Sequence, residues 1–123
     1  MYKKILIATD GSETAAKAVG RGREVAGAVG ADVVVFTVGS LKQSEGVLAD
    51  AATTFAGTGL NVETLAEEGD PASAILDVAE AVGADLIVVG NKGMTGARRF
   101  FLSAVPNKVA HHARCAVLVV KTT

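Results

Sequence analysis

Three glycines spaced three apart, Gly90, Gly93 and Gly96, follow the apolar run "DLIVVG" and precede a stretch with helical character from about 103 to 113. The chemistry on offer is anion binding. Glycine lets the backbone take positive φ and lets a ligand approach where a Cβ would stand. Backbone N–H groups of such a loop, aimed together with a following helix N-terminus, form an anion site. The spacing matches neither common nucleotide fingerprint. GxxxxGK[ST] is missing, because Lys92 precedes Gly93, and no GxGxxG follows the first apolar run. By spacing alone, a phosphate cradle and a plain glycine-rich turn stand level.

The second candidate is Asp10, at the end of "ILIATDGS". Asp-Gly is a common turn pair whose carboxylate caps a nearby backbone N–H. It is also an acceptor at a place where ligands collect in sheets of the kind described below. Other chemistry finds little support. His111 and His112 have no Cys, Asp or Glu at metal-ligand spacing and read as helix-end histidines, so no metal site is expected. Ser, His and Asp are not placed as a triad, and no catalytic residue is assigned. Cys115 reads as a small buried hydrophobe beside a strand.

The elements that must position these residues alternate along the chain. Short apolar runs at 3–9, 31–38, 85–90 and 116–120 read as strands buried on both faces, the pattern of a parallel sheet. The alternating stretch 61–68 reads as a less covered strand at an edge. Helices are expected over 12–29 with Ser12 as N-cap, over 44–57, from Asp70 and Pro71 to Gly83, and over 103–113. Val19, Ala26 and Val29 are the expected inner face of the first. Gly20, Gly22 and Gly27 weaken it, so close packing on the sheet must compensate. Pro106 falls in the first turn of the last helix, where a missing N–H is tolerated.

The order β-α-β-α-β-α-β-α-β implies an α/β fold, a doubly wound parallel sheet with right-handed crossovers and helices on both faces. Ligands in such sheets sit beyond the carboxyl ends of the strands, where the strand order reverses. The ends at Ala8, Thr9, Asp10 and Gly11, at Thr37 and Val38, and from Gly90 onward are therefore the places to look.

The 123 residues, half of them hydrophobic, are read as one domain, 1–123, with an aliphatic core. A net charge of −1 leaves no whole-protein field to attract nucleic acid or an acidic membrane. One cysteine suits a reducing cytosol, and the first apolar run reads as a strand and not a signal peptide. No apolar stretch approaches the roughly 20 residues of a bilayer span. A cytoplasmic protein is expected.

Three stretches carry a family resemblance: "ILIATDGSETA", "GDPASAILDVAEAVGADLIVVG" and "GNKGMTGARRFFLSAVPNKVAHHARCAVLVV". Over essentially its full length the chain resembles the universal stress protein family. The resemblance implies a single five-stranded sheet of order 3-2-1-4-5. That fold is Rossmann-like and akin to the adenine nucleotide alpha hydrolases. It also implies a homodimer formed through the last strand, Ala116–Val120. One branch of the family binds ATP through a motif of glycine, two residues, glycine, nine residues, then glycine and Ser or Thr. Another branch lacks the motif and binds none, and some members bind cyclic AMP.

By the same resemblance, Asp10 and the strand end at Val38 hold ribose and adenine, with Ala8 and Thr9 beside them. Gly90 and Gly93 line the phosphates. The second half of the motif departs, because Ser103-Ala104 stands where Gly-Ser is asked for. Ser103 puts a side chain where phosphates come close, and Ala104 cannot donate to them. One lost hydrogen bond to a charged group costs about 1.5–3 kcal/mol, about ten- to a hundredfold or more in affinity. The N–H groups of Ser103, Ala104 and Val105 remain. The stretch "GSLKQS" between strand and helix is also shorter than the family's ligand-covering loop, which again weakens binding.

The expectation is a cytoplasmic, homodimeric module that binds ATP with Mg²⁺, or AMP or cyclic AMP, at a site altered on its phosphate side. The competing expectation is a nucleotide-free stress protein that works through protein contacts. An ATP-hydrolysing enzyme ranks last. The loop "ATDGSE" is not the Ser-Gly-Gly-x-Asp-Ser loop of the related ATP-pyrophosphatases, and any hydrolysis is expected to be slow and incidental.

Overall fold

The computed structural model describes residues 1–91 and 104–122. Five strands are present: β1 (Lys4–Ala8), β2 (Asp32–Val38), β3 (Val62–Glu67), β4 (Leu86–Gly90) and β5 (Ala116–Val120). They form one all-parallel sheet of order β3-β2-β1-β4-β5. This is the implied doubly wound order, and it reverses direction between β1 and β4.

Side-chain alternation along the strands builds two cores. Ile5 and Ile7, Val33 and Val35, Leu86 and Val88 face α1 (Glu13–Val29) and α2 (Leu41–Thr53). Leu6, Val34, Phe36, Ile87 and Val89 face α3 (Pro71–Val82) and α4 (Ala104–His112). β3 is the half-covered edge strand that its alternation predicts, with Glu63, Thr64 and Glu67 exposed.

Three helices begin on side-chain caps. Ser12 Oγ accepts from Ala15 N at 3.0 Å, and Asp70 Oδ2 from Ser73 N at 3.1 Å. The backbone N–H of Ser73 holds the Asp70 carboxyl below its ordinary pKa. The start of α2 differs from expectation. Ser40 Oγ accepts from Gln43 N at 3.2 Å, while Gln43 Oε1 accepts from Ser40 N at 3.4 Å. This reciprocal box sets the helix at Leu41, three residues before the expected start at 44. Its other end also falls earlier. Residues 54–56 donate to carbonyls three back, so 54–57 are tightened turns and not α-helix.

On α1 the buried residues are Ala15, Ala18, Val19, Gly22 and Ala26, with Val29 half-buried against the same core. Of the three weakening glycines, one meets the sheet. A Cβ on Gly22 would fall on the Ile7 side chain, whereas one on Gly20 or Gly27 would meet open space. The compensation is therefore local, a single close approach of α1 to β1.

The lower end of the sheet is tied by one carboxylate. Asp85 Oδ2 accepts from Lys3 N at 2.8 Å and Oδ1 from Lys4 N at 3.1 Å. Asp85 N donates to Lys4 O at 2.9 Å, so β1 and β4 are clasped where both begin. Burial pushes the Asp85 carboxyl up, but the N–H groups of Lys3 and Lys4 outweigh it and hold its pKa below the ordinary 3.8. The folded state thus keeps this carboxylate ionised at pH values where the unfolded chain protonates it. Stability from Asp85 is present above the unfolded pKa and is lost as pH falls through the folded one. Urea unfolding between pH 2.5 and 6 should show stability falling below about pH 4. In Asp85→Asn the protein should be weaker at pH 6 and show a shallower acid decline. An unchanged acid slope in that variant would remove the clasp from the account.

Candidate functional site

Beyond the carboxyl ends of β1, β2 and β4 lies a cavity of about 90 Å³. Ala8, Thr9 and Asp10 line it from the β1 end, Phe36, Thr37 and Val38 from β2, and Val89 and Gly90 from β4. Among the described residues, Ala15 of α1, Pro71 and Ile75 of α3, and Val105 and Pro106 of α4 also line it. Ligand clefts usually run to about 300–1,000 Å³, so these walls suit one ring of a ligand and leave the rest outside.

The turn from β1 into α1 is nested in hydrogen bonds. Thr9 N donates to Phe36 O at 2.9 Å, which carries the ladder one residue past β1. Thr9 Oγ1 accepts from Gly11 N at 3.1 Å, and Asp10 Oδ1 accepts from Ser12 N at 2.9 Å. Gly11 has φ +82°, which side-chain-bearing residues avoid. A Cβ there would also stand 2.8 Å from Val47 Cγ2, so α2 packs directly on this turn.

One polar atom is left over. Asp10 Oδ2 is buried and has no hydrogen-bond partner among the described residues. A buried acceptor without a donor costs about 1–3 kcal/mol, and more when charged. Asp10 is also the only ionisable side chain among the described residues lining the cavity. Of the two roles weighed for it in the sequence, the structure shows the turn, made by Oδ1.

Of the sequence-identified residues, Ala8, Thr9, Asp10, Val38, Gly90 and Val105 meet around this cavity. Ala104 begins α4. Gly93 and Ser103 lie outside the described residues. Sequence reasoning missed the apolar walls, Phe36, Val89, Pro71 and Ile75. Their signal was available, since Phe36 and Val89 continue the inward alternation of their strands and Ile75 follows Pro71 by one helical turn. It also passed over Pro106 as a cavity residue. Proline has no N–H, so the first turn of α4 offers one donor fewer than another residue there would.

Elsewhere, no group of three or more His, Cys, Asp or Glu could hold a metal among the described residues. His111 and His112 are exposed in the last turn of α4, with ring centroids 4.8 Å apart at right angles. Cys115 is half-buried, and burial together with the Asp85 charge pushes its thiol pKa up, so it stays protonated. No described helix is long and apolar enough to cross a membrane.

The sequence model of the universal stress protein family matches residues 1–54 and 39–121. Universal stress protein YxiE of Bacillus subtilis is 30% identical over 148 residues, covering 98% of this chain and 100% of that protein. Universal stress protein MJ0531 of Methanocaldococcus jannaschii is 32% identical over 141 residues, covering 98% of this chain and 83% of that one. A crystal structure of a universal stress protein in complex with cAMP superposes with a TM-score of 0.83 at 27% identity, covering 99% of both chains. The two family matches overlap at 39–54, the stretch that holds α2. Only Gly39 and Ser40 separate β2 from that helix.

The turn at Gly11 can be tested apart from any ligand. Gly11→Ala meets two penalties: a left-handed backbone, about 1–2 kcal/mol, and crowding against Val47, about 1–3 kcal/mol. Val47→Ala relieves only the second. In a double-mutant cycle read by urea unfolding, Gly11→Ala should cost clearly less in the Val47→Ala background than in the parent. Equal costs in both would mean that α2 does not press on this turn.

Proposed function

The chain belongs to the universal stress protein family, and from that premise we propose that it is an adenine-nucleotide-binding module whose phosphate side is altered. The observation that carries the reading is Asp10 Oδ2, buried and without a partner among the described residues, on a side chain that lines a largely apolar cavity at the reversal point of the sheet. A ribose hydroxyl is a donor of the right kind for that oxygen. A flat, apolar base suits the walls formed by Val38, Phe36 and Ile75. The similar structure that holds cAMP adds support from a 27% identical relative.

On this reading the two halves of the nucleotide meet different sites. The base and ribose side, Ala8 to Asp10 and Val38, is whole. The phosphate side has Gly90 and the start of α4, where the helix N-terminus favours an anion. There Ser103-Ala104 replaces the expected Gly-Ser, and Pro106 withholds an N–H. Adenosine and its monophosphates are therefore held nearly as well as ATP. The short β2–α2 connection leaves the ligand less covered. The described residues form no metal cage, so Mg²⁺ fits here only as a companion of the triphosphate. Binding and not catalysis is the proposed role, because Asp10 is the only ionisable side chain among the described residues that line the cavity. The single cysteine suits a cytoplasmic setting.

Isothermal titration decides the matter. Adenosine, AMP, cyclic AMP and ATP with and without Mg²⁺ are titrated into the parent chain, Asp10→Ala, and the double change Ser103→Gly with Ala104→Ser. The parent should bind adenosine, and ATP at most a few-fold more tightly. Asp10→Ala should lose at least tenfold for every ligand, and the double change should tighten ATP alone by about tenfold or more. No binding to any form would leave the competing reading, a nucleotide-free protein acting through protein contacts.

We also propose that the protein dimerises through β5. The two sheet edges differ in kind. β3 presents Glu63 and Glu67, charges that discourage strand pairing, while β5 presents Val119, 41% exposed, beside half-buried Val117. A two-fold partner is the natural cover for an apolar edge. Light scattering after size exclusion should give twice the chain mass, and Val119→Lys should shift it to the single mass. A parent that runs as a monomer at tens of micromolar would reject this interface.

A further inference from the structure

Past the ends of β4 and β5 the main-chain ladder gives way to a side chain. Among the described residues, the last main-chain bond between them is Asn91 N to Val120 O at 2.9 Å. Beyond it, Asn91 Oδ1 accepts twice, from Thr122 N and from Thr122 Oγ1, both at 2.8 Å. The Thr122 N–H can only donate, so the amide atom facing it must be oxygen, and the orientation of Asn91 is fixed by its neighbours. Thr122 O in turn accepts from Lys17 Nζ at 3.0 Å. Thr122 is 2% exposed, so a donor stripped of its partner there would have no easy access to water.

The placement of these four bonds bears on the candidate site. Asn91 directly follows Gly90, which lines the cavity from β4. Lys17 follows Ala15, which lines it from α1, by two residues. Gly90 is paired with Val120 in the sheet register. The bonds thus join β4, β5 and α1 next to residues of the cavity wall; three of the four involve Asn91, and the fourth, from Lys17, ends on Thr122.

We propose that Asn91 is a positioning residue for the nucleotide site: through Thr122 and Lys17 it latches the ligand-facing end of β4 to β5 and α1 and so fixes the phosphate side of the cavity. The proposal rests on the nucleotide reading above. Asn91 is not itself among the cavity-lining residues. It acts through the backbone of Gly90, and its loss should therefore affect the phosphate half of a ligand and spare the half held by Asp10 and Val38.

The test uses Asn91→Leu, which removes the acceptor, Thr122→Val, which removes one of the two donors, and Asn91→Asp, which retains an oxygen acceptor. Amide hydrogen exchange and titration with ATP and adenosine are measured on each. In Asn91→Leu, exchange at Gly90, Asn91 and Thr122 should quicken at least tenfold. ATP affinity should fall to the level of adenosine, a few-fold loss, while adenosine affinity stays unchanged. Thr122→Val, the gentler change if Asn91→Leu folds poorly, should move both readouts in the same direction by less. Asn91→Asp, read by exchange only because its charge would itself repel phosphate, should restore protection.

Equal loss of ATP and adenosine, or loss of neither while exchange quickens, would make the latch merely structural and overturn the proposal. If the parent binds neither ligand, the nucleotide reading falls. Asn91 is then judged by exchange at Gly90 and Asn91 alone, and unchanged rates there in Asn91→Leu would overturn the latch as well.

Discussion

Ile5, Leu6 and Ile7 are each 0% exposed, so β1 has no face left for solvent. Burying each such side chain contributes about 1.5–3 kcal/mol, and the strand gains this only if helices clad both sides of it. Parallel neighbours follow from that demand. A chain that must cross a helix between successive strands enters every strand from the same end. All five carboxyl ends therefore gather at one edge of the sheet, and all the strand-to-helix turns gather with them. The cavity owes its place to this constraint more than to any residue that lines it. β1 lies at the reversal of strand order, so the helices after β1 and β4 leave on opposite faces and a gap opens between them.

Each of those turns must then settle its own backbone polar groups in very few residues. Residues 9 to 12 do so with three side chains: Thr9 takes the Gly11 N–H, Asp10 the Ser12 N–H, and Ser12 the Ala15 N–H. The arrangement uses one oxygen of Asp10 and leaves the other buried without a partner among the described residues. Native structures leave few such atoms, and exceptions concentrate where a ligand or solvent supplies the missing partner. At the opposite end of the same strand, Asp85 shows the contrast. Both of its oxygens are occupied by backbone N–H groups, and its role is wholly to clasp β1 to β4. Of the two aspartates near the two ends of β1, only Asp85 is fully partnered among the described residues.

How far the sequence revealed this depends on how local each signal is. The strands were legible because a parallel sheet buries them completely, and unbroken Val, Ile and Leu runs have little other use. Both ends of α3 were legible because Asp70 and Pro71 at its start and Gly83 at its end each act within a turn of where they stand. The start of α2 was missed although Ser40 and Gln43 form a recognisable capping pair, because Gly39-Ser40 reads equally well as a loop. The site was legible at its strand ends, where topology alone places Asp10, Val38 and Gly90. Its walls were less so, since Phe36 and Ile75 meet only through the packing of α3 on β2. The bonds of Asn91 to Thr122, 31 residues away, and of Lys17 to Thr122, 105 away, leave no local trace at all.

Two features of the chain pull against each other at the cavity. The turn at Asp10 and the cladding of β1, β2 and β4 leave a small, largely apolar cavity, which on the nucleotide reading takes the base and the ribose. The start of α4 keeps the dipole of a helix N-terminus, but Pro106 removes a donor within its first turn. The dipole acts on any anion near the helix end, whereas directed N–H groups distinguish one phosphate geometry from another. A site that keeps the former and thins the latter attracts negative charge with little preference for how many phosphates carry it. On the nucleotide reading, the chain is thereby suited to register adenine nucleotides as a class, and the discrimination that singles out the triphosphate is what residues 103 to 106 have given up.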